Sequence, residues 1–354
     1  MSQAGSKLLL LAVSTAGCLG VAEAVARLAH LAPEVHRLRT DAAKSAYRAT
    51  ENPILGYELK PNYRDAGSPD LRESFPYTNA DGQRDKERRV ARVPGVRRLL
   101  VLGDSVVAGH GIRELEQTIP GQLERQLGPE GIEVLNFGVG GYCTRAEVEL
   151  LRVKGLKYRP DAVLVVFVSN DYDDYSGQAG REAREHEVAD RLFIRSSFFR
   201  ALSLRLNLFH YRDELDPAWA ERRNKEAIGG NNVESGFREL AELRRQHGFQ
   251  VTIAIWPTFL EDRIVDSGHP NGPRYRLDER SKVVRLARRN RFPTIQLSAA
   301  FESDYSARCA APGSCAGPSA VYTTGDGLHS SPLGAEVAAS ALAESARALA
   351  GSSR

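Results

Sequence analysis

Ser105 follows Gly103 and Asp104 at the end of the apolar run Leu99 to Leu102, on what reads as the turn between a buried strand and the next helix. A serine there is exposed and aimed, and its own backbone N–H, at a helix start, can stabilise an oxyanion forming on an attacked carbonyl. A hydroxyl is a poor nucleophile until a base removes its proton. The candidate base lies in Gly325-Asp326-Gly327-Leu328-His329, just ahead of the last helix. Three residues of separation on one loop let the Asp326 carboxylate orient the imidazole while His329 turns its other nitrogen to the serine. The chemistry these three residues could do together is acyl transfer.

Two further segments supply hydrogen-bond donors. The run Asn136-Phe137-Gly138-Val139-Gly140-Gly141 ends a second apolar stretch, and Gly141 can offer a backbone N–H to the same oxyanion. Val168-Ser169-Asn170-Asp171 ends a third, where the Asn170 side chain can donate as well; taken alone, Asn170-Asp171 is also an ordinary turn. Cys143 has no evident base nearby and reads as a small buried residue rather than a nucleophile. Asp171, Asp173 and Asp174 lack the glycine and terminal glutamate of a calcium loop, so no metal site is expected. The remaining histidines, His110 among them, have no comparable partner and read as surface or packing groups.

These turns need strands to hold them. Short apolar runs at Leu99 to Leu102, Val134 to Phe137, Ala162 to Val168, Val251 to Trp256 and Thr294 to Leu297 predict five buried strands. Helical patterns fall near Ile119 to Leu127, Arg145 to Lys157, Val233 to His247, Leu277 to Asn290 and Pro332 to Leu349. That alternation predicts an α/β fold, a doubly wound parallel sheet with the site at the carboxyl ends of its strands. Residues 32–96 form a lead-in rich in turn residues, read as irregular or short-stranded. Residues 97–350 are the expected catalytic domain, with 171–232 an insertion after the third strand. Phe193 to Tyr211 within it is dense in Phe, Leu and Arg, and reads as a lid over an acyl pocket, as a surface that meets lipid, or as a helical excursion packed on the core.

Together the four segments resemble the GDSL/SGNH hydrolase family. Gly103-Asp104-Ser105 matches its first block, Asn136 to Gly141 its second, Asn170-Asp171 its third and Asp326-Gly327-Leu328-His329 its last, in the family's order. The resemblance covers about Arg98 to Leu349. It implies a three-layer flavodoxin-like fold with a five-stranded parallel sheet, ester or thioester hydrolysis, no cofactor and no metal. It also implies Ser105, Asp326 and His329 as the catalytic set and Ser105, Gly141 and Asn170 as the oxyanion hole. Ser169 stands where glycine is usual, and Val106 where the eponymous leucine is; neither removes a reactive group. The lead-in, from Asn52-Pro53 to Arg84-Asp85, is similar to the segment preceding the serine block in bacterial members with an apolar anchor. Arg84 is an unassigned neighbour of the site.

The 354 residues carry 42% hydrophobic and 26% charged composition with a net charge of +3, so the chain is globular and nucleic acid is not an expected partner. The expected partners are an acyl-ester substrate, on a polysaccharide, a lipid or a small molecule, and a membrane. Residues 1–31 carry the localisation signal: Lys7 precedes an apolar core from Leu8 to Ala22, and Glu23, Arg27 and His30 interrupt the apolar residues beyond it. An uncleaved signal anchor, a cleaved signal peptide, a lipoprotein box at Thr15-Ala16-Gly17-Cys18 and a buried helix are the open readings. The first predicts an exported, membrane-anchored protein facing the periplasm or the exterior, the second a secreted one. Cys309 and Cys315 flank a short Pro/Gly loop and can close a disulfide in an oxidising compartment, with reduced thiols the equal alternative. Water and a sugar hydroxyl remain open as acyl acceptors, so an O-acyltransferase stands beside the esterase, with a silent carbohydrate-binding or envelope-assembly protein as the non-enzymatic reading.

Overall fold

In the computed structural model every one of the five expected strands forms. Residues 3–36, 38, 46–65, 76–177, 187–265, 279–309 and 315–351 are described. In chain order the elements begin with helix α1 (Gln3–Leu28) and the strands β1 (Tyr47–Ala49), β2 (Tyr57–Leu59) and β3 (Arg97–Gly103). Then come α2 (Ser105–Ala108), α3 (Ile119–Leu127), β4 (Ile132–Gly138), α4 (Thr144–Leu150) and β5 (Ala162–Phe167). Helices α5 (Glu187–Arg195), α6 (Ser197–Leu206), α7 (Tyr211–Leu215), α8 (Pro217–Ile228) and α9 (Asn232–His247) follow. The chain closes with β6 (Gln250–Ile255), β7 (Thr258–Phe259), β8 (Ile264–Val265), α10 (Glu279–Arg289), β9 (Thr294–Gln296), α11 (Ser298–Arg308), α12 (Pro318–Tyr322) and α13 (Pro332–Gly351). Leu277 and Asp278, where the expected fourth helix begins, lie outside the described residues, as do Pro312 and Gly313.

Two compact units divide the chain: Met1–Ser45 with Gly180–Ala220, and Ala46–Ala179 with Glu221–Arg354. The second holds the sheet, ordered β4-β3-β5-β6-β9 with all pairs parallel. Because neighbouring residues of a strand face opposite sides, a strand covered on both faces must be apolar throughout. Leu100 and Leu102 of β3 pack with Leu135, Phe137, Val163 and Val165 on the side of α4 and α9. Leu99 and Val101 pack with Val134, Leu164 and Val166 on the side of α3 and α13. Helix α13 packs on this side through Ala335, Ala338, Ala339, Leu342, Ala343 and Ala346, all buried and mostly small. The strand order reverses direction between β3 and β5, and such switch points open a crevice beyond the carboxyl ends of the strands. Ser105 stands at that point.

The lead-in adds the antiparallel pair β1 and β2, and Leu55, Tyr57 and Leu59 join the same core as α4. Cys309 and Cys315 are joined in a disulfide.

In the first unit α1 carries a stretch, Lys7–Leu28, of 22 residues with mean hydropathy 2.0, long and apolar enough to cross a membrane. A small core of Val35, Phe193 and Tyr211 forms there, the two rings stacked with centroids 3.9 Å apart.

Candidate active site

Strand β3 delivers Ser105 to the first turn of α2, and Asp104 fixes that turn: its carboxylate accepts the Val106 N–H at 2.9 Å. The chain then leaves α2 through Gly109 in the left-handed conformation, φ +75°. Arg84 holds this exit. Its guanidinium, buried, donates to the carbonyls of Ala108 at 2.8 Å, Gly109, Ile112 and Arg113. Burial lowers the Arg84 pKa to about 10, so it stays charged at neutral pH. The sequence placed Arg84 beside the site without a role; the structure makes it the clamp of the loop that follows Ser105.

His329 comes to Ser105 from the loop between α12 and α13. Its Nε2 lies 2.8 Å from Ser105 Oγ and its Nδ1 2.6 Å from Asp326 Oδ2. An ionised Asp326 only accepts, so Nδ1 carries the proton and Nε2 is left to accept from the hydroxyl. Asp326 Oδ1 also takes the N–H groups of Leu328 and His329, both at 2.9 Å. Burial would raise this carboxyl, but His329 and the two amides hold it well below the usual range. The loop is in turn tied to the sheet: Trp256 Nε1 donates to Leu328 O at 2.9 Å, and Phe259 N donates to Gly327 O. His110, read from the sequence as a bystander, places its ring centroid 4.5 Å from that of His329.

The second block passes close to Ser105. A Cβ at Gly140 would stand 3.7 Å from Ser105 Cβ and would run into Tyr47 Oη. Gly141 follows with φ +78°, a conformation that suits glycine. Lead-in residues brace this loop from behind, with Tyr57 Oη donating to Gly140 O at 2.8 Å and Tyr142 Oη donating to Tyr57 O.

Asn170, from the turn after β5, donates Nδ2 to Asp104 Oδ2 at 2.8 Å. One amide hydrogen is engaged there, leaving the second for another acceptor. Asp104 thus ties the first and third blocks together.

Beneath this joint lie three carboxyls with no exposure: Asp104, Glu147 of α4 and Asp171. Burial raises all three; Asp104 adds to the shift of Glu147, and Glu147 and Asp104 add to that of Asp171. No described residue donates to either oxygen of Glu147 or to Oδ1 of Asp171. Burial without donors on these oxygens pushes Glu147 and Asp171 toward the protonated form. Glu147 was not legible as special, since its position on α4 reads as one polar residue among several.

Cys143 is buried and its thiol is pushed up to about 12, which leaves it no thiolate to attack with. Asp174 Oδ1 accepts the Asn232 N–H at the start of α9, a capping task. No group of His, Cys, Asp or Glu among the described residues could hold a metal ion.

The family model for GDSL-like lipase/acylhydrolase proteins matches residues 101–337. The chain belongs to the GDSL-like lipase/acylhydrolase family. It is accordingly a serine ester hydrolase. No curated protein matches the chain. Among solved structures it is similar to an acetylxylan esterase from Geobacillus stearothermophilus, at 17% identity over 71% of this chain and 94% of that one, TM-score 0.42. It is also similar to the lipase/acylhydrolase from Enterococcus faecalis, at 17% identity over 72% and 96%, TM-score 0.41.

Proposed function

We propose that this family member hydrolyses carboxylic esters through a Ser105-His329-Asp326 acyl-enzyme cycle, acting on acetyl or longer acyl groups of envelope polysaccharide or lipid. The observation that carries the reading is the continuous chain from Asp326 Oδ2 through the imidazole to Ser105 Oγ, with links of 2.6 and 2.8 Å. His329 takes the hydroxyl proton as Ser105 Oγ bonds to the ester carbon, then returns it to the departing alcohol oxygen. Asp326 keeps the tautomer and steadies the imidazolium. The N–H groups of Ser105 and Gly141 and the second Nδ2 hydrogen of Asn170 face the oxyanion. Water then opens the acyl-enzyme with His329 again as base.

Hydrolysis of p-nitrophenyl acetate, butyrate, octanoate and palmitate by the full chain, beside Ser105→Ala, tests this. Turnover lost in the variant supports the serine mechanism, and the preferred chain length chooses between acetyl and lipid substrates. Turnover equal in both proteins overturns it.

We further read α1 as an uncleaved signal anchor that leaves the hydrolase on the exported side. Its support is the apolar stretch Lys7–Leu28, 22 residues with mean hydropathy 2.0 near the N-terminus.

A further inference from the structure

Glu23 and Arg27 interrupt the apolar helix α1, and a charged group in such a helix needs a partner. Both find theirs in the corner between α5 and α6. Glu23 accepts from Ser196 Oγ at 2.7 Å, Ser197 N at 3.0 Å and Phe198 N at 2.9 Å, capping the start of α6. Arg27 donates to Glu23 at 2.6 Å and to the Arg195 carbonyl, at the end of α5, at 2.9 Å. The corner is itself rigid, because buried Arg200 closes the last turn of α5 through the carbonyls of Phe193 and Ile194.

The outer faces of these two helices are unusual. On α5, Val188, Arg191, Leu192 and Arg195 are all exposed and fall at the spacing of one helical face, with Val188 74% accessible. On α6, Leu202, Arg205 and Leu206 repeat the pattern, with Leu206 59% accessible, and exposed Phe209 continues it. The exposed side chains described on α5 and α6 are aliphatic or arginine. Asp190, the acid between them, is half-buried and accepts from Tyr211 Oη. Leucine with arginine is the composition of a helix lying in a lipid interface, apolar groups down and guanidinium groups at the phosphates.

The depth agrees. At about 1.5 Å per residue, Glu23 lies about 24 Å along the helix from Lys7, against a hydrocarbon layer of about 30 Å. A helix capped there is held within about 5 to 10 Å of the far boundary, where interfacial helices rest.

We propose that α5 and α6 form a collar that seats on the phosphate-bearing lipid headgroups around the anchor, Leu192, Leu202 and Leu206 entering the acyl boundary and Arg195 and Arg205 pairing with headgroup phosphates. This rests on the reading of α1 as an anchor. It gives the segment dense in Phe, Leu and Arg a lipid surface rather than a place in the hydrolase core.

The full chain, reconstituted in vesicles of phosphatidylcholine with phosphatidylglycerol, provides the test. An environment-sensitive fluorophore is placed on native Cys18, which is exposed, or on Leu192→Cys or Leu206→Cys in a Cys18→Ala background, and quenched by lipids bearing a nitroxide near the headgroup or in mid-chain. Mid-chain quenching at position 18 with headgroup-level quenching at 192 and 206 is the expected result. Quenching at 18 alone overturns the collar and leaves the anchor standing; no quenching at 18 overturns both. Self-quenching between labels at 206 in place of lipid quenching would make the face a contact between copies of this chain and overturn the lipid assignment. Replacing Arg195 and Arg205 with Gln should lower headgroup quenching, by about fivefold in the seated-to-lifted ratio per arginine. Unchanged quenching in that variant overturns the phosphate pairing.

Discussion

Two sets of carboxyls flank Ser105 and are treated in opposite ways. Asp326, on a loop behind His329, is surrounded by donors and is held ionised far into the acid range. Asp104, Glu147 and Asp171, under the turn that carries Ser105 and Asn170, lie in the core and are pushed toward the protonated form. Where environments drive acids apart in this way, the roles divide too. In the proposed cycle the ionised acid serves His329, and the buried set builds the platform on which Ser105 and Asn170 stand.

The comparison can be broken from either side. Ser105→Ala or His329→Ala should lower kcat/KM by about ten-thousand-fold or more, leaving folding intact by circular dichroism. Asp326→Asn keeps the shape of the loop but lets the imidazole turn to the wrong tautomer, and a fall of about a thousandfold or more in kcat with little change in KM is expected from steady-state kinetics. Removing the third oxyanion donor with Asn170→Ala should cost about a hundredfold in kcat, and more than the same change at Ser169.

On the platform side the effects pass to stability. Arg84→Met strips a buried clamp from four carbonyls and should destabilise the protein by about 3 kcal/mol in urea unfolding, with kcat falling as the α2 exit loosens. The smallest effect carries a sign. A carboxyl whose folded pKa is raised contributes stability that is complete below its unfolded pKa and is lost as pH rises through the folded one. Glu147→Gln removes that titration, so its melting temperature relative to the parent should climb with pH through the range above the ordinary carboxyl pKa. A flat difference across that range would mean Glu147 titrates normally and the contrast with Asp326 is wrong.

Much of the site was legible because it is written in short runs. Apolar stretches ending in Gly103-Asp104-Ser105, Asn136 to Gly141 and Asn170-Asp171 placed three loops on one edge of a parallel sheet, and the structure puts them there. The three-residue interval from Asp326 to His329 fits one loop, and the two side chains do meet. What could not be read depended on distant partners. Arg84 lies 24 residues from the carbonyl it grips at Ala108, Tyr57 lies 83 from Gly140, and no local pattern announces either pairing. Glu147 and Asp171 escaped for a different reason: an acid at a helical or turn position looks solvated until the fold covers it. Glu23 and Arg27 looked like breaks in an apolar helix, and prove to be its attachment to α5 and α6.

The central claim is that Ser105 is the nucleophile, and covalent trapping tests it most directly. Incubating the full chain with a fluorophosphonate and mapping the product by mass spectrometry should yield one phosphonyl adduct, on Ser105, formed far more slowly in His329→Ala and not at all in Ser105→Ala. An adduct of equal yield in Ser105→Ala would contradict the account.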